Sequence, residues 1–304
     1  MNFNQNSALD RLMTLLFEPY KGSVADVQKV SNALIENGVI ASEDEIVNDH
    51  IAFRTLGVPF LGIASLEKIF LHYGYEKRDY YYFNGKKLNA FWYAPPMPEY
   101  PRIFISELRV EDLSKETGAL IKKYTEKVTS DPVDNLDLND PGAVGNFFYK
   151  SLWELPTIED YKALAADSEY AAWVIYNRYY LNHYTISVHE LKEGYNTLEA
   201  FNVFLTKIGI KLNDSGGVIK QSADGLLKQS SSVAKMMEAS FKNGKTMEIP
   251  GSYVEFAERL PLPQFKNLDN SQLKRAQRRD GFESANADKI FESTYASQTG
   301  LKTD

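Results

Sequence analysis

The chain has 304 residues, 43% of them hydrophobic, a formal net charge of −7 and no cysteine. That length suits one large domain or two smaller ones. The missing cysteine excludes disulfides, thiolate nucleophiles and thiolate-held metals, and the acidic balance argues against nonspecific nucleic-acid binding.

No run approaches the roughly 18 consecutive apolar residues of a membrane span. The N-terminal Met1-Asn2-Phe3-Asn4-Gln5-Asn6 carries no basic region followed by an apolar run, so no secretory signal is expected. A cytoplasmic address is the expectation that follows.

Residues 7–40 form an N-terminal helical segment. Leu9, Leu12, Leu15 and Leu16 recur at helical spacing, as do Val27, Val30, Leu34 and Ile35, and Gly38 supplies the stop. Residues 44–110 read as strand, helix, then three strands. Ile46–Leu56 is the first strand. Ile63–Tyr73 is a helix with Leu66, Ile69 and Phe70 on one face and Gly74 as terminator. Tyr75–Phe83 and Leu88–Tyr93 are strands joined by the hairpin signal Asn84-Gly85, and Arg102–Val110 is the last. Residues 111–180 form a helical insert in which Tyr161–Tyr180 reads as one long helix.

The first pattern then returns over residues 181–260. Leu181–Val188 is strand-like, and Thr197–Ile208 is helical and ends at Gly209. Weaker strands lie near Gly217–Gln221, Leu226–Ala234 and Ser252–Leu260. His50 to Gly74 spans 24 positions and His183 to Gly209 spans 26. The prediction is an α+β fold in one domain, with two βαβββ modules pairing their curved sheets around a shared cavity. The tail, residues 261–304, is polar. Its basic run Lys274-Arg275-Ala276-Gln277-Arg278-Arg279 reads as a solvated helix face, and residues 281–292 as a short helix folding back.

Any transition-metal site must draw on the four histidines and on carboxylates. On a strand His50, Ala52 and Arg54 share one face, with His50 and Arg54 about 13 Å apart. That is too far for both to bind one ion, but the arginine can lean toward a ligand held at His50, and its planar fork suits a carboxylate. By itself this pair reads better as a structural histidine and a surface arginine. His183 changes the balance, because it occupies the same place in the second module. The last strand then offers Glu255, between Val254 and Phe256, in preference to Glu258 near the strand end. Two histidines and one carboxylate with open positions is the ligand pattern of non-heme Fe(II) oxygenases, and Mn, Co or Zn share its ligand types.

His72 and His189 read as structural. Glu107, on the last strand of the first module, mirrors Glu255 and defaults to an ion pair with Arg102 or Arg109, with a fourth metal ligand or an acid that supports the ligands from behind as the alternatives. Ser222 and Gln229 either reach into the cavity as substrate hydrogen-bond donors or decorate a hairpin. The polar run around them has no nucleotide-binding pattern.

Five stretches together resemble the 2-oxoadipate dioxygenase/decarboxylase family of the vicinal oxygen chelate superfamily. They are Asn48-Asp49-His50-Ile51-Ala52-Phe53-Arg54-Thr55, Asn182-His183-Tyr184-Thr185, Leu227-Lys228-Gln229-Ser230-Ser231, Val254-Glu255-Phe256-Ala257-Glu258-Arg259 and the run from Asn286 to Thr294. The resemblance covers roughly residues 8–295 and implies paired βαβββ modules. It further implies His50, His183 and Glu255 as metal ligands and Arg54 as anchor for a substrate carboxylate. The implied reaction is Fe(II)- and O2-dependent conversion of 2-oxoadipate to D-2-hydroxyglutarate and CO2, in lysine breakdown. The competing expectations are a metal-dependent isomerase or lyase, with Glu107 completing a four-ligand site, and a nonenzymatic small-molecule binding module.

Overall fold

The computed structural model describes residues 6–301. The first five residues, on which the expectation about a secretory signal largely rests, lie outside the described residues.

Two helices open the chain. The first, α1 (Ala8–Ser23), begins at a capping box in which Ser7 and Asp10 satisfy each other's backbone N–H groups. The second, α2 (Ala25–Glu36), follows after Val24. Their apolar faces, with Leu12, Leu16, Phe17, Val27, Val30 and Leu34 buried, pack into the main core.

The first module comprises β1 (Asn48–Leu56), α3 (Ile63–His72), β2 (Glu76–Phe83), β3 (Leu88–Ala94) and β4 (Arg102–Leu108). The insert holds α4 (Lys115–Thr125), α5 (Pro141–Phe147), α6 (Ile158–Asp167) and α7 (Glu169–Asn177). The single long helix expected over 161–180 is thus two helices. Ser168 is extended (φ −150°, ψ 103°), and its hydroxyl caps α7 by accepting from Ala171 N, so the chain restarts there.

The second module comprises β5 (His183–Ser187), α8 (Leu198–Lys207), β6 (Lys220–Gln221), β7 (Leu227–Ser231) and β10 (Tyr253–Arg259). Between β7 and β10 the chain makes an additional hairpin, β8 (Met236–Ser240) with β9 (Thr246–Pro250), which pairs only with itself. Two short helices, α9 (Ser284–Ile290) and α10 (Ala296–Thr299), lie in the tail. Gly38, Gly74 and Gly209, predicted as helix stops, all take left-handed φ, where a side chain would be strained.

One eight-stranded sheet runs β2-β3-β4-β1-β5-β10-β7-β6. Within each module the first and last strands are parallel, β1 with β4 and β5 with β10, and the modules meet where β1 pairs antiparallel with β5. The two halves are therefore related by a pseudo-twofold axis between β1 and β5, and each module's helix connects its first strand to its outer strands. This is the predicted pairing of two βαβββ units, curled about a shared cleft.

Both central strands are buried along their whole length. The N-terminal helices cover them on one side, where Tyr20 donates to the carbonyl of Tyr253 and meets Tyr184 edge-on at 5.6 Å. The other side carries His50, Arg54 and His183.

Candidate metal centre

His50 on β1, His183 on β5 and Glu255 on β10 converge, with one potential ligand atom from each lying within 4.8 Å of the other two. All three are buried. Glu255 Oε2 is 3.1 Å from His183 Nε2 and 3.5 Å from His50 Nε2. The strand alternation explains the meeting: His183 faces Tyr253 across the β5–β10 ladder and Glu255 lies one pleat further along, on the same face.

Each imidazole is held by the residue before it. His50 Nδ1 is 2.8 Å from Asp49 Oδ1, and His183 Nδ1 is 3.0 Å from Asn182 Oδ1. An acceptor at Nδ1 places the ring proton there and turns the Nε2 lone pair toward the cluster, the usual outer support of a metal-bound histidine. The two supports differ in charge, and the histidines differ accordingly. Burial would lower the pKa of His50, but the Glu255 charge and the Asp49 hydrogen bond outweigh it and raise it. His183, with a neutral amide behind it, stays lowered by burial. Burial opposes the charge on Glu255, yet the two imidazoles hold its pKa down at about 2.

Glu255 Oε1 accepts from Gln229 Nε2 at 2.6 Å, and Gln229 Oε1 accepts in turn from Asn286 Nδ2 at 3.0 Å. Gln229 therefore sits at the cluster. Ser222 does not. Its hydroxyl turns into the β6–β7 connection, donating to Asp224 Oδ1 at 2.5 Å and accepting from Leu227 N at 2.9 Å, so its expected place in the cavity is corrected to a hairpin role. Phe104, Phe282, Ile290 and Phe291 wall the small cavity beside the cluster, which has about 20 Å³ of free space, room for about one water.

Arg54 is 1% exposed, yet it forms no ion pair among the described residues. Its Nη1 donates to Thr294 Oγ1 at 2.9 Å and its Nη2 to the Phe291 carbonyl at 3.1 Å, and Nε has no partner. Its guanidinium lies 5.2 Å from the ring centroids of both Tyr170 and Trp173, and 5.7 Å from that of Phe291. The buried Tyr253 hydroxyl also lacks a partner. Tyr170 and Trp173 belong to α7 of the insert, and Phe291 and Thr294 to the tail. Tyr170 and Trp173 did not stand out in the sequence, and Phe291 and Thr294 did so only as part of the run from Asn286 to Thr294, because their relation to Arg54 exists only after folding. The Asp-His and Asn-His dipeptides were a readable signal for Asp49 and Asn182.

Glu107 is not at the cluster. It accepts from Ile63 N at 2.8 Å, at the first turn of α3, and Glu258 accepts from Leu198 N at 2.7 Å, at the first turn of α8. A side chain at Gly62 would place its Cβ 2.0 Å from Glu107 Oε2, so this cap needs glycine there. The pseudo-twofold mate of Glu107 is therefore Glu258. The mate of Glu255 is Phe104: Ala52, two residues after His50, faces Phe104, just as Thr185, two residues after His183, faces Glu255. The four-ligand variant built on Glu107 falls with this geometry. His72 is exposed at the end of α3, and His189 accepts from Arg259 N at 3.2 Å outside the cluster.

The cluster in the cleft of the paired βαβββ modules, two histidines and one carboxylate, has the donor set of a divalent-metal site on an enzyme scaffold. The chain belongs to the 2-oxoadipate dioxygenase/decarboxylase family, whose model matches residues 12–275. It is 46% identical over 272 residues to the chloroplastic 2-oxoadipate dioxygenase/decarboxylase of Arabidopsis thaliana, covering 86% of this chain and 71% of that one. A chloroplastic/amyloplastic relative from Oryza sativa subsp. japonica is 44% identical over 265 residues, with 84% and 71% covered. The crystal structure of the hydroxyglutarate synthase of Oryza sativa in complex with 2-oxoadipate superposes with a TM-score of 0.86 at 40% identity, covering 96% of this chain and 93% of that one. The plastid addresses in the relatives' names overturn the expected cytoplasmic location. Composition and the lack of cysteine describe a folded domain and carry no organelle address.

Proposed function

We propose that this protein converts 2-oxoadipate and O2 to 2-hydroxyglutarate and CO2, with His50, His183 and Glu255 holding a divalent metal, Fe(II) in the first instance. The atoms balance: the six-carbon acid loses its first carboxyl as CO2, and the two oxygens of O2 go to the new carboxylate and the new hydroxyl.

The observation that carries this reading is the pairing of the ligand cluster with Arg54, a buried cation without a carboxylate partner among the described residues. Burying an unpaired charge is costly, and a substrate with a second carboxylate at the end remote from the oxo acid would neutralise it. The donor set fits the metal, since two neutral imidazoles and one carboxylate leave open positions. When bound, the metal supplies a chelation point for a 2-oxo acid and the redox chemistry that O2 requires.

The rest falls to the chain. Asp49 and Asn182 fix the imidazole tautomers, and Gln229 holds Glu255 so that one carboxylate oxygen stays free for the metal. Arg54, clamped between aromatic rings, binds the distal carboxylate and so orients the carbon chain. The apolar walls Phe104, Phe282, Ile290 and Phe291 exclude water. The room beside the cluster is smaller than a six-carbon acid, so substrate entry requires the segment bearing Phe282 and Phe291 to yield.

The test is anaerobic reconstitution with Fe(II), followed by 2-oxoadipate and a measured O2 pulse. Stoichiometric O2 uptake, CO2 release and 2-hydroxyglutarate are expected. No O2 uptake with 2-oxoadipate, or with any other 2-oxo dicarboxylate, would sink the proposal.

A further inference from the structure

The basic run in the tail is not the solvated helix face that the sequence suggested. Arg278 is 4% exposed and Arg275 is half-buried, and both turn inward. With Arg102 of β4 and Arg259 of β10 they line a cavity of about 320 Å³ that shares no lining residue with the metal cluster. The buried counter-charge there is Asp49, and it is already engaged. Arg259 grips it through Nε at 2.6 Å and Nη2 at 2.8 Å, and Arg102 Nη1 reaches it at 3.3 Å. Arg102 Nε pairs in addition with Asp280 at 2.6 Å.

Arg275 and Arg278 have carbonyl and amide partners instead. Arg278 donates Nη1 to the Arg259 carbonyl at 3.0 Å and Nη2 to Asn270 Oδ1 at 2.5 Å. Arg275 donates Nη1 to the carbonyls of Pro98 at 2.5 Å and Tyr100 at 2.7 Å. Arg278 Nε and Arg275 Nη2 are buried with no acceptor. The cavity's other acids, Glu99 and Glu190, are exposed at its rim and bond to neither arginine. Burial lowers the pKa of both arginines, as expected for cations whose charge is not fully answered.

Two arginines with no ion pair among the described residues, beside two that share Asp49, give this partly enclosed space an excess of positive charge, which fits a planar or tetrahedral oxyanion that accepts several N–H groups at once. We propose that this cavity is a binding site for a small oxyanion, carboxylate or phosphate, held by Arg275 and Arg278 and separate from the metal cluster. The inference rests on the cavity alone and does not require the proposed reaction.

Titration calorimetry on the metal-loaded protein at constant ionic strength tests it, with inorganic phosphate and glutarate as separate probes. At least one should bind at a single site. Its affinity should fall about tenfold or more in Arg275→Gln and in Arg278→Gln, the loss of one charge-assisted contact, and should persist in His50→Ala. Phosphate alone, glutarate alone or both would each support the site and identify its source. Arg275→Gln keeps the experiment decisive if Arg278→Gln does not fold, because Arg275 is the less buried. Saturable binding of neither probe, binding undiminished in Arg275→Gln, or binding lost only in His50→Ala would overturn the proposal.

Discussion

Asp49→Asn probes the buried network beside the metal cluster. Asp49 is 2% exposed, Arg102 2% and Arg259 1%, so all three charges have left water. Removing one partner of a buried ion pair while the other stays costs about 3–5 kcal/mol. Arg259 would keep the carbonyls of Arg279 and Gly281, and Arg102 would keep Asp280, so neither is fully stranded and the lower end of that range is expected. The pH dependence sharpens the test. Burial would raise the Asp49 pKa, but Arg259 and Arg102 together hold it well below its ordinary 3.8. A folded-state pKa below the unfolded one gives stability that is present above the unfolded value and is lost as pH falls through the folded one. Urea unfolding of metal-free protein should show wild type about 3 kcal/mol more stable than Asp49→Asn from pH 5 to 7, a gap set by the broken pair. The gap should shrink below pH 4. A difference under about 1 kcal/mol at pH 7, or one that widens on acidification, would refute the assigned charge state and pairing.

Arg54→Gln should retain stoichiometric metal while raising KM for 2-oxoadipate about 30- to 100-fold, the size of a lost buried charge-pair contact. A 2-oxo acid of the same length without the distal carboxylate should be nearly unaffected, and equal losses on both substrates would remove Arg54 from that role. Glu107→Ala and Glu258→Ala should each destabilise by about 1 kcal/mol through the uncapped helix ends and leave metal content unchanged, as measured by unfolding and metal analysis. His189 is buried, and desolvation lowers its pKa to about 3. Between pH 6.5 and 3 the unfolded chain therefore holds a proton that the folded chain lacks, and stability falls as pH falls through that window. His189→Gln should remove roughly 3 kcal/mol of that acid-side loss at pH 4.5, read by comparing denaturation at pH 7.5 and 4.5.

The modular plan was legible because each module repeats a strong local signal: an apolar strand, an amphipathic helix and a glycine that alone tolerates the terminating φ. His50, His183 and Glu255 could be brought together from that plan because strand alternation sets which side chains share a face. The β8–β9 hairpin left no comparable trace. It pairs only with itself, and the side it turns to the core, Met237, Ala239, Met247 and Ile249, carries a single β-branched residue, so the strand signal there is weak. The break at Ser168 depends on a single hydroxyl capping α7 inside an otherwise helix-forming run. The arginines at 275 and 278 were misplaced because charge in a short run says nothing about burial. Their partners, such as Pro98 and Tyr100, are distant in sequence.

The assignment of Glu107 shows what internal symmetry can and cannot carry. The repeat suggested that a carboxylate on the last strand of one module should mirror Glu255 on the other. Register shows two separate correspondences: Glu107 with Glu258, both capping helices, and Glu255 with Phe104. The caps are the same in both modules because both must satisfy a helix N-terminus. The cluster is not symmetric, and under the proposed reaction a fourth protein ligand would take a position left open for substrate or O2. Phe104 lines the cavity in that place and keeps it apolar. Phe104→Glu should therefore tighten metal retention against a chelator while abolishing O2 uptake with 2-oxoadipate. Metal retention no better than wild type, with turnover preserved, would show that position 104 does not face the ion.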